Sequence, residues 1–540
     1  MVARTPTFTT TISMSGILGK PHFAAIIAVG ASLIVAACGG SDSDPKIERS
    51  LPLTLSQQDS CNVDLATTPP HVTIFGADAG DFLADRFSLA AGDFNDDGAD
   101  DLLIGAPLAD GPGNSRDNAG EAYIVFGRAE PPSVIDLAEV ETLTVFGQNP
   151  GDNLGFTVAV GDLNADGIDD ALIGARFASP EGRANAGAVY VLSGKTSLAD
   201  DLDLARQPAD FTVIGSVASQ LLSIALASGD LNGDGVDDLL IGAAGADGPD
   251  GDRRDAGSAI AILGGASLPT LIDLASESPA LTVHGATAGD SIPNYLAAGD
   301  LDSDGDDELI VGAPAVNTPD REDAGRTYVI KYNGDGEVVD LAQSDDVMTI
   351  TGGERKDALG FEVASGDVNG DGAADLIVGA RDADGPADQI NNGGEIHVFF
   401  GGDDLPRSVD LKEGSSDLMI HSTNPGDSLG FSVAVADLNG DGIDDILAGA
   451  PLADGCDNGA INAGDVYVIL GRETVPESIA LDNAGDLTYF GASADDVAGF
   501  SVAAADFNGD GREDLVIGAL QADGPDDSRP DAGEVYVILQ

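Results

Sequence analysis

The 540-residue chain contains no tryptophan, only three cysteines and five histidines, and 24 lysines and arginines against 93 acidic residues. The formal net charge of -69 excludes binding to nucleic acid through its phosphates, and to an anionic membrane surface through charge. Three cysteines exclude a disulfide-rich scaffold and a zinc protein with several sites. Hydrophobic residues make up 43% of the chain, which is close to the usage of globular proteins and argues against general disorder.

Long apolar runs are also scarce, and the clearest one extends from Ala24 to Ala37 behind Arg4 and Lys20. It is too short to cross a bilayer core of roughly 30 Å, but it suits the apolar region of a signal peptide, which we predict at residues 1–37. The small residues before Cys38 resemble a bacterial lipobox, which implies lipidation of Cys38. Ordinary cleavage near Ala37, with Cys38 unmodified, is the alternative.

The polar residues 38–70 are rich in serine, aspartate and proline, and we predict a flexible tether there. Together these features predict an exported protein that is lipid-anchored to the outer membrane, on its periplasmic side or at the cell surface. Contact with the membrane is expected only through the lipid on Cys38.

From His71 onward the chain repeats a unit of about 69 residues seven times. Each unit holds four short apolar runs separated by glycine, aspartate and asparagine. In the second unit they are FTVAV (156–160), ALIGA (171–175), AVYVL (188–192) and FTVIG (211–215). Such runs predict strands, and no helical periodicity is sustained. Residues 71–540 are therefore predicted to form an all-β, seven-bladed β-propeller of four-stranded antiparallel blades.

The order of the runs predicts how the ring closes. The body starts with HVTIFG (71–76), which matches the fourth run of the later units, and it ends with the third run EVYVILQ (534–540). We therefore expect residues 72–76 to complete the last blade, which also removes an exposed sheet edge.

Every unit contains an acidic loop of the form seen at Asp437-Leu-Asn-Gly-Asp441-Gly-Ile-Asp-Asp445. Side-chain oxygens fall at positions 1, 3, 5 and 9, with a main-chain carbonyl available at position 7 and a glycine at position 6. Hard oxygen ligands in a flexible loop favour Ca²⁺ over Mg²⁺. An acidic hairpin turn is the alternative, but seven copies in register favour a metal with a structural role.

Up to seven Ca²⁺ ions are thus predicted. The side-chain ligands predicted by this pattern are Asp93, Asn95, Asp97 and Asp101; Asp162, Asn164, Asp166 and Asp170; Asp230, Asn232, Asp234 and Asp238; Asp300, Asp302, Asp304 and Glu308; Asp367, Asn369, Asp371 and Asp375; Asp437, Asn439, Asp441 and Asp445; and Asp506, Asn508, Asp510 and Asp514. The fourth loop differs from the other six in having Asp302 and Glu308 at two of these positions. Its fourth carboxylate would tighten calcium binding, or the longer Glu308 side chain would misplace a ligand oxygen.

Phe-Gly pairs such as Phe75-Gly76 and Gly-Ala-Pro triplets such as Gly105-Ala106-Pro107 flank these loops. Together they resemble the FG-GAP repeat, the unit of the integrin α-subunit propeller. The resemblance implies calcium on the lower face, and a protein or glycan ligand on the upper face. The implied upper-face loops are Asp110–Asn118, Arg176–Asn185, Asp247–Asp255, Val316–Asp323, Asp382–Asn392, Asp454–Asn462 and Asp523–Asp531.

The resemblance predicts an adhesion module for protein or extracellular-matrix-type ligands. A lectin-like carbohydrate-binding propeller is the alternative, although the absence of tryptophan argues against it. Arg183, Arg253 and Arg254 mark basic spots in the upper loops, as contact points or as solvated charges.

The sequence shows no recognisable catalytic or organic-cofactor motif, and a polysaccharide-active enzyme is the least favoured hypothesis for the function. His284 and His421 occupy the phenylalanine position of the repeat, and His397 occupies the position of Tyr190 or Tyr467, which favours packing over catalysis. We therefore predict that the chain is not an enzyme. An exported protein also permits a disulfide between Cys61 and Cys456.

Overall fold

A computed structural model describes residues 63–140, 142–198, 201–334, 336–344, 347–402, 405–481 and 486–540. Residues 58–540 belong to one compact unit. The predicted signal peptide, Cys38, Cys61 and the tether up to residue 62 lie outside the described residues.

Seven five-stranded sheets make up this unit, and the strands are grouped below by their place in each sheet. The first strands are β3 (Leu89–Gly92), β8 (Leu154–Gly161), β13 (Leu222–Gly229), β18 (Tyr295–Gly299), β23 (Glu362–Gly366), β28 (Ser432–Ala436) and β33 (Ala498–Ala505). The second strands are β4 (Asp101–Ala106), β9 (Asp170–Ala175), β14 (Asp238–Ala243), β19 (Glu308–Ala313), β24 (Asp375–Ala380), β29 (Asp445–Ala450) and β34 (Asp514–Ala519).

The outer part of each sheet is built in the same way. The third strands are β5 (Glu121–Val125), β10 (Ala188–Leu192), β15 (Ser258–Ile262), β20 (Arg326–Ile330), β25 (Glu395–Phe399), β30 (Asp465–Ile469) and β35 (Glu534–Ile538). The fourth strands are β2 (Val72–Phe75), β7 (Leu143–Phe146), β12 (Phe211–Ile214), β17 (Leu281–His284), β22 (Met348–Thr351), β27 (Leu418–Ser422) and β32 (Leu487–Phe490). The fifth strands are β1 (Val63–Asp64), β6 (Val134–Asp136), β11 (Leu202–Asp203), β16 (Ile272–Asp273), β21 (Glu337–Asp340), β26 (Ser408–Asp410) and β31 (Ser478–Leu481).

These sheets confirm the predicted seven-bladed propeller and add a strand to each blade. The first four strands of a blade are antiparallel, whereas the short fifth strand pairs parallel to the fourth, as β11 does to β7. Each fifth strand comes from the connection that precedes the fourth strand of the following blade. Neighbouring blades are therefore joined by main-chain hydrogen bonds as well as by packing.

The ring closes as the sequence predicts. Strand β2 pairs antiparallel with β35, from Val72 opposite Val537 to Phe75 opposite Glu534. The propeller begins before the predicted boundary at His71, because β1 pairs parallel with β32 inside the segment that was assigned to the tether. The amino-terminal segment thus closes blade 7 and also covers the edge of blade 6.

The hydrophobic core consists of seven clusters, each between two neighbouring blades. All residues of the second strands are buried, which explains their continuous apolar sequence. Blades approach so closely that a Cβ on Gly449 would lie 2.1 Å from the carbonyl oxygen of Gly499. The glycine of the Gly-Ala-Pro triplet is therefore required by the contact between blades.

The remaining elements are three short 3₁₀ helices, η1 (Pro180–Gly182), η2 (Cys456–Asn458) and η3 (Pro525–Asp527). In the part of the chain that the structure describes, no helix is long and apolar enough to cross a membrane.

Candidate metal sites and ligand face

The acidic loops all connect the first and second strands of their blades, on the face that we call the lower face. The position-1 carboxylate folds back onto the loop: Asp437 accepts the N–H groups of Gly440 at 2.7 Å, Asp441 at 3.1 Å and Gly442 at 2.7 Å. All seven loops share the bond from the position-5 N–H to the position-1 carboxylate. The alternate side chains at positions 1, 3 and 5 are therefore gathered around one point.

The position-9 carboxylate begins the second strand and lies beneath this loop. Asn439 donates its amide to Asp445 at 3.3 Å, and five further loops hold the same asparagine-to-aspartate pair. Burial raises the pKa of Asp445 to about 6 and that of Asp375 to about 7, with neighbouring loop aspartates acting in the same direction. Each loop thus places its predicted position-9 side chain beneath the turn that carries positions 1, 3 and 5, and burial together with the neighbouring loop aspartates raises the pKa of this carboxyl.

The donor set fits a hard divalent cation, because it consists of oxygens alone and includes a buried carboxylate that is costly to leave ionised. In the fourth loop one ligand atom each from Asp300, Asp302 and Asp304 lies within 4.8 Å of the others. In the other six loops a bound Ca²⁺ would supply the positive charge that keeps the carboxylates ionised and close together.

A carboxylate at position 8 joins neighbouring loops, and the sequence analysis overlooked it. Asp169 accepts the N–H of Asp93 at 2.9 Å, from the loop of the preceding blade. Asp237, Asp307, Asp444 and Asp100 make the equivalent bond to Asp162, Asp230, Asp367 and Asp506. Ala374 and Glu513 stand at the two remaining positions. An acid recurs directly before the predicted ligand at position 9, and this recurrence could have indicated the contact between loops.

The fourth loop contains a lysine among its carboxylates. Lys331 Nζ lies 3.0 Å from Asp302 Oδ2 and 3.8 Å from Glu308 Oε1, and it also donates to Asp304 Oδ2. This residue follows β20, in the third-strand position that leads into the lower face.

The upper-face loops account for some of the chain's many acidic residues. The last residue of each loop is Asn or Asp with a left-handed φ between 49° and 52°, a conformation that these residue types tolerate better than most. Asp110 accepts the N–H of Asn118 at 2.7 Å, and Asp247, Asp384, Asp454 and Asp523 close their loops in the same way. These aspartates are turn caps, and their short side chains suit that role better than glutamate.

The basic residues of the upper loops form ion pairs with the fifth strands. Arg183 lies 2.6 Å from Asp273, and Arg253 lies 2.6 Å from Asp340, with 17% and 16% of their side chains exposed. Arg116–Asp203, Arg321–Asp410 and Arg529–Asp136 repeat the arrangement. Arg183 and Arg253 are therefore held in ion pairs and are not solvated charges, whereas Arg254 is 87% exposed.

A channel of about 190 Å³ runs between the first strands of all seven blades. Arg86 enters it and places its guanidinium 4.0 Å from the ring centre of Phe87 and 3.9 Å from that of Phe361. Tyr295, across the ring, donates its hydroxyl to the carbonyl oxygen of Arg86 at 3.3 Å. Burial raises the pKa of Glu362 well above its usual range, while the charge of Arg86 opposes that rise. Arg86 therefore links blade 1 to blades 4 and 5.

Replacing Arg86 by alanine is expected to lower the free energy of unfolding by about 3 kcal/mol, because it removes desolvated cation–π contacts to Phe87 and Phe361 and leaves a cavity between blades. Arg86→Lys should lose about half as much, since it keeps the charge without the planar group. Denaturant unfolding measures both effects, with the exposed Arg254→Ala as the control. Equal stabilities of Arg86→Ala and Arg254→Ala would contradict this role.

The three histidines that were assigned to packing are hydrogen-bonded within their blades. His284 Nδ1 lies 2.8 Å from Ser258 Oγ, and His421 Nδ1 donates to the carbonyl oxygen of Ser422 at 3.0 Å. His397 lies 3.1 Å from both Ser416 Oγ and Glu395 Oε2, beside a groove of about 730 Å³. The Glu395–His397 pair occupies the strand positions of the Glu121–Tyr123, Asp465–Tyr467 and Glu534–Tyr536 pairs in other blades.

Cys456 is disulfide-bonded. The other two cysteines of the chain, Cys38 and Cys61, lie outside the described residues, so that pairing with Cys61 stays a prediction.

Seven blades of one repeated sequence, with oxygen-lined loops on a single face, define an integrin-like β-propeller. A model of the FG-GAP repeat matches residues 87–125, 154–192, 224–261, 296–330, 359–399, 429–469 and 498–538. These matches cover just over half of the chain, which therefore belongs to the FG-GAP repeat family.

Several relatives share this region. Human phosphatidylinositol-glycan-specific phospholipase D is 29% identical over 411 residues, which cover 72% of this chain and 46% of the human protein. Its Dictyostelium discoideum counterpart is 24% identical over 535 residues, covering 88% of this chain and 53% of that protein. Integrin alpha-8 of Gallus gallus is 32% identical over 239 residues, which cover 42% of this chain and 20% of that protein. The chain spans about half the length of the phospholipase relatives that it matches.

These relatives contradict the prediction that the chain is not an enzyme. Relatives that match 72%, 88% and 68% of the chain carry the name of a phospholipase. The prediction rested on the absence of catalytic motifs from the repeats. That absence does not exclude an enzymatic activity such as the one for which these relatives are named.

Proposed function

We propose that the chain is an exported, calcium-stabilised binding module that presents its upper face to a cationic protein ligand. The observation that supports the proposal is the oxygen-lined loop that recurs on the lower face of all seven blades: its donor atoms suit a metal, and we therefore propose the opposite loops for the ligand. Export follows from the predicted signal peptide, and lipidation of Cys38 would hold the module at the outer membrane.

The charge of the upper face supports a cationic ligand. While the aspartates at the starts of the upper loops are used as caps, Asp117, Asp388 and Asp526 are exposed on the outside of these loops. Blade 6 adds two exposed apolar side chains, Leu452 at 44% and Ile461 at 65%. Acidic loops around apolar contacts would speed the encounter with a lysine- or arginine-rich surface and then hold it.

A glycan-bearing ligand is the second candidate. The relatives with the greatest coverage are named for phosphatidylinositol glycans, which makes such molecules the second ligand or substrate class to test. The absence of tryptophan weighs against sugar stacking on the propeller but leaves tyrosine and phenylalanine available.

One binding experiment tests both candidates. Immobilised lysine-rich peptides, glutamate-rich peptides and phosphatidylinositol glycans are offered to the full-length protein in calcium, at low and high salt. We expect binding to the lysine-rich peptides, weakened at least about tenfold by the combined change Asp117→Asn, Asp388→Asn and Asp526→Asn.

The matched control neutralises three exposed acids in the connections that follow third strands, outside the upper loops: Glu130→Gln, Glu473→Gln and Glu477→Gln. This control should bind like the unchanged protein. Equal losses in the two variants would mean that bulk charge is responsible and would contradict an upper-face site. Binding or turnover of the phosphatidylinositol glycans alone would favour the second candidate.

A further inference from the structure

The fourth blade differs from the other six at two predicted ligand positions of its acidic loop and at the residue after its third strand, and that third residue contacts the other two. Asp302 replaces asparagine at position 3, and Glu308 replaces aspartate at position 9. The residue after the third strand is Lys331, where the other blades hold Phe126, Ser193, Leu263, Phe400, Leu470 and Leu539.

These three residues replace a hydrogen bond that the other loops share. Elsewhere the position-3 asparagine donates its amide to the position-9 carboxylate, as Asn95 does to Asp101 at 3.0 Å. Asp302 has no proton to donate, so that two carboxylates would face each other in the fourth loop. Lys331 lies between them, 3.0 Å from Asp302 and 3.8 Å from Glu308.

The ammonium group is placed as a loop cation would be. It donates hydrogen bonds to Asp302 and Asp304, and Glu308, a third predicted ligand, lies 3.8 Å away. Glu308 is 6% exposed, and Lys331 is 38% exposed with its stem leaving the third strand. A Ca²⁺ held by the same oxygens at 2.3–2.6 Å would lie against this ammonium and be repelled by it.

We propose that Lys331 occupies the cation position of the fourth loop, so that the chain takes divalent cations in six loops and holds the fourth with its own ammonium group. This inference rests on the proposed calcium sites of the other loops. In this arrangement Asp302 and Glu308 serve to bind the lysine. Asp302, the acid that the other loops lack, gives the ammonium group a second partner, and the longer side chain of Glu308 extends towards that group.

The competing account is that Lys331 only offsets the additional charge of Asp302. Four carboxylates and one ammonium have the same net charge as the three carboxylates of the other loops, so that account predicts a seventh ion. The two accounts therefore differ by one bound ion per chain.

Native mass spectrometry of the calcium-saturated protein counts these ions. We expect six in the unchanged protein and seven in Lys331→Leu, since leucine is the residue of three other blades. Lys195→Leu, which removes a half-exposed lysine from blade 2, is the matched control and should keep six. If Lys331→Leu folds poorly, the triple variant Lys331→Leu, Asp302→Asn and Glu308→Asp restores the common loop and should also hold one additional ion.

Equal ion counts in the unchanged protein and the restored loop would overturn the role of Lys331 while leaving the other calcium sites standing. The absence of bound calcium from both would overturn the proposed function as well. Hydrogen exchange in a calcium chelator gives an independent readout: we expect the amides of Asp304 and Gly305 to stay protected while those of Asp441 and Gly442 lose protection. Protection lost equally in both loops would contradict the proposal.

Discussion

A chain that begins at residue 77 is expected to be less stable than one that begins at residue 63 by about 5–10 kcal/mol, or to fail to fold. The shorter chain lacks β2, whose Val72 and Ile74 are fully buried between blades. Burying such side chains contributes about 1.5–3 kcal/mol each, and each ladder hydrogen bond contributes about 1 kcal/mol. Without β2 the edge of β35 is also open to pairing with other chains.

Adding the missing strand in trans distinguishes closure from general damage. A synthetic peptide of residues 63–79 should restore the melting temperature of the shorter chain when present in excess, because it can occupy the open edge of blade 7. A peptide in which Ile74 is replaced by aspartate is the control and should not. Closure by β2 would be contradicted if the shorter chain melted at the temperature of the longer one.

Removing calcium is expected to lower the melting temperature by about 8 °C. Extracellular calcium modules bind with dissociation constants on the order of 10⁻⁴–10⁻³ M, and a tenfold excess of calcium over that constant stabilises by about 1.4 kcal/mol per site. Six sites would therefore contribute about 8 kcal/mol, and for a propeller of this length about 1 kcal/mol corresponds to about 1 °C.

Differential scanning calorimetry in calcium and in chelator measures this shift. Calcium should restore the higher melting temperature, and magnesium at the same concentration should not, because Mg²⁺ releases its water reluctantly. Asp437→Ala should remove the stabilisation that one calcium site contributes. Glu130→Ala, which changes an exposed acid outside the acidic loops, should leave the calcium response unchanged. A melting temperature that does not respond to the chelator would contradict a structural role for the metal.

The sequence predicts the fold well because its information is repeated. A single run such as AVYVL is ambiguous, but seven copies of four runs determine the blade number, and a displaced HVTIFG determines the closure. The proposed ligand residues of the acidic loops follow from the same recurrence, since Asp437 and Asp441 are only a few residues apart and their geometry is local.

The features that the sequence does not predict depend on contacts between distant residues. The fifth strands, such as Leu202–Asp203, are too short to show a period, and their partner lies in the preceding blade. Asp169 and Asp93 are joined across 76 residues, and Tyr295 and Arg86 across 209. Lys331 sits at a strand position that is apolar in most blades, so its meaning becomes clear only when Asp302 and Glu308 are seen beside it.

Equilibrium dialysis against radioactive calcium tests the central claim, that the acidic loops are calcium sites. The account predicts saturable binding of several ions per chain with dissociation constants on the order of 10⁻⁴–10⁻³ M, and a loss of one ion in Asp437→Ala. Binding of no calcium at millimolar concentration, or an unchanged number of ions in Asp437→Ala, would contradict it.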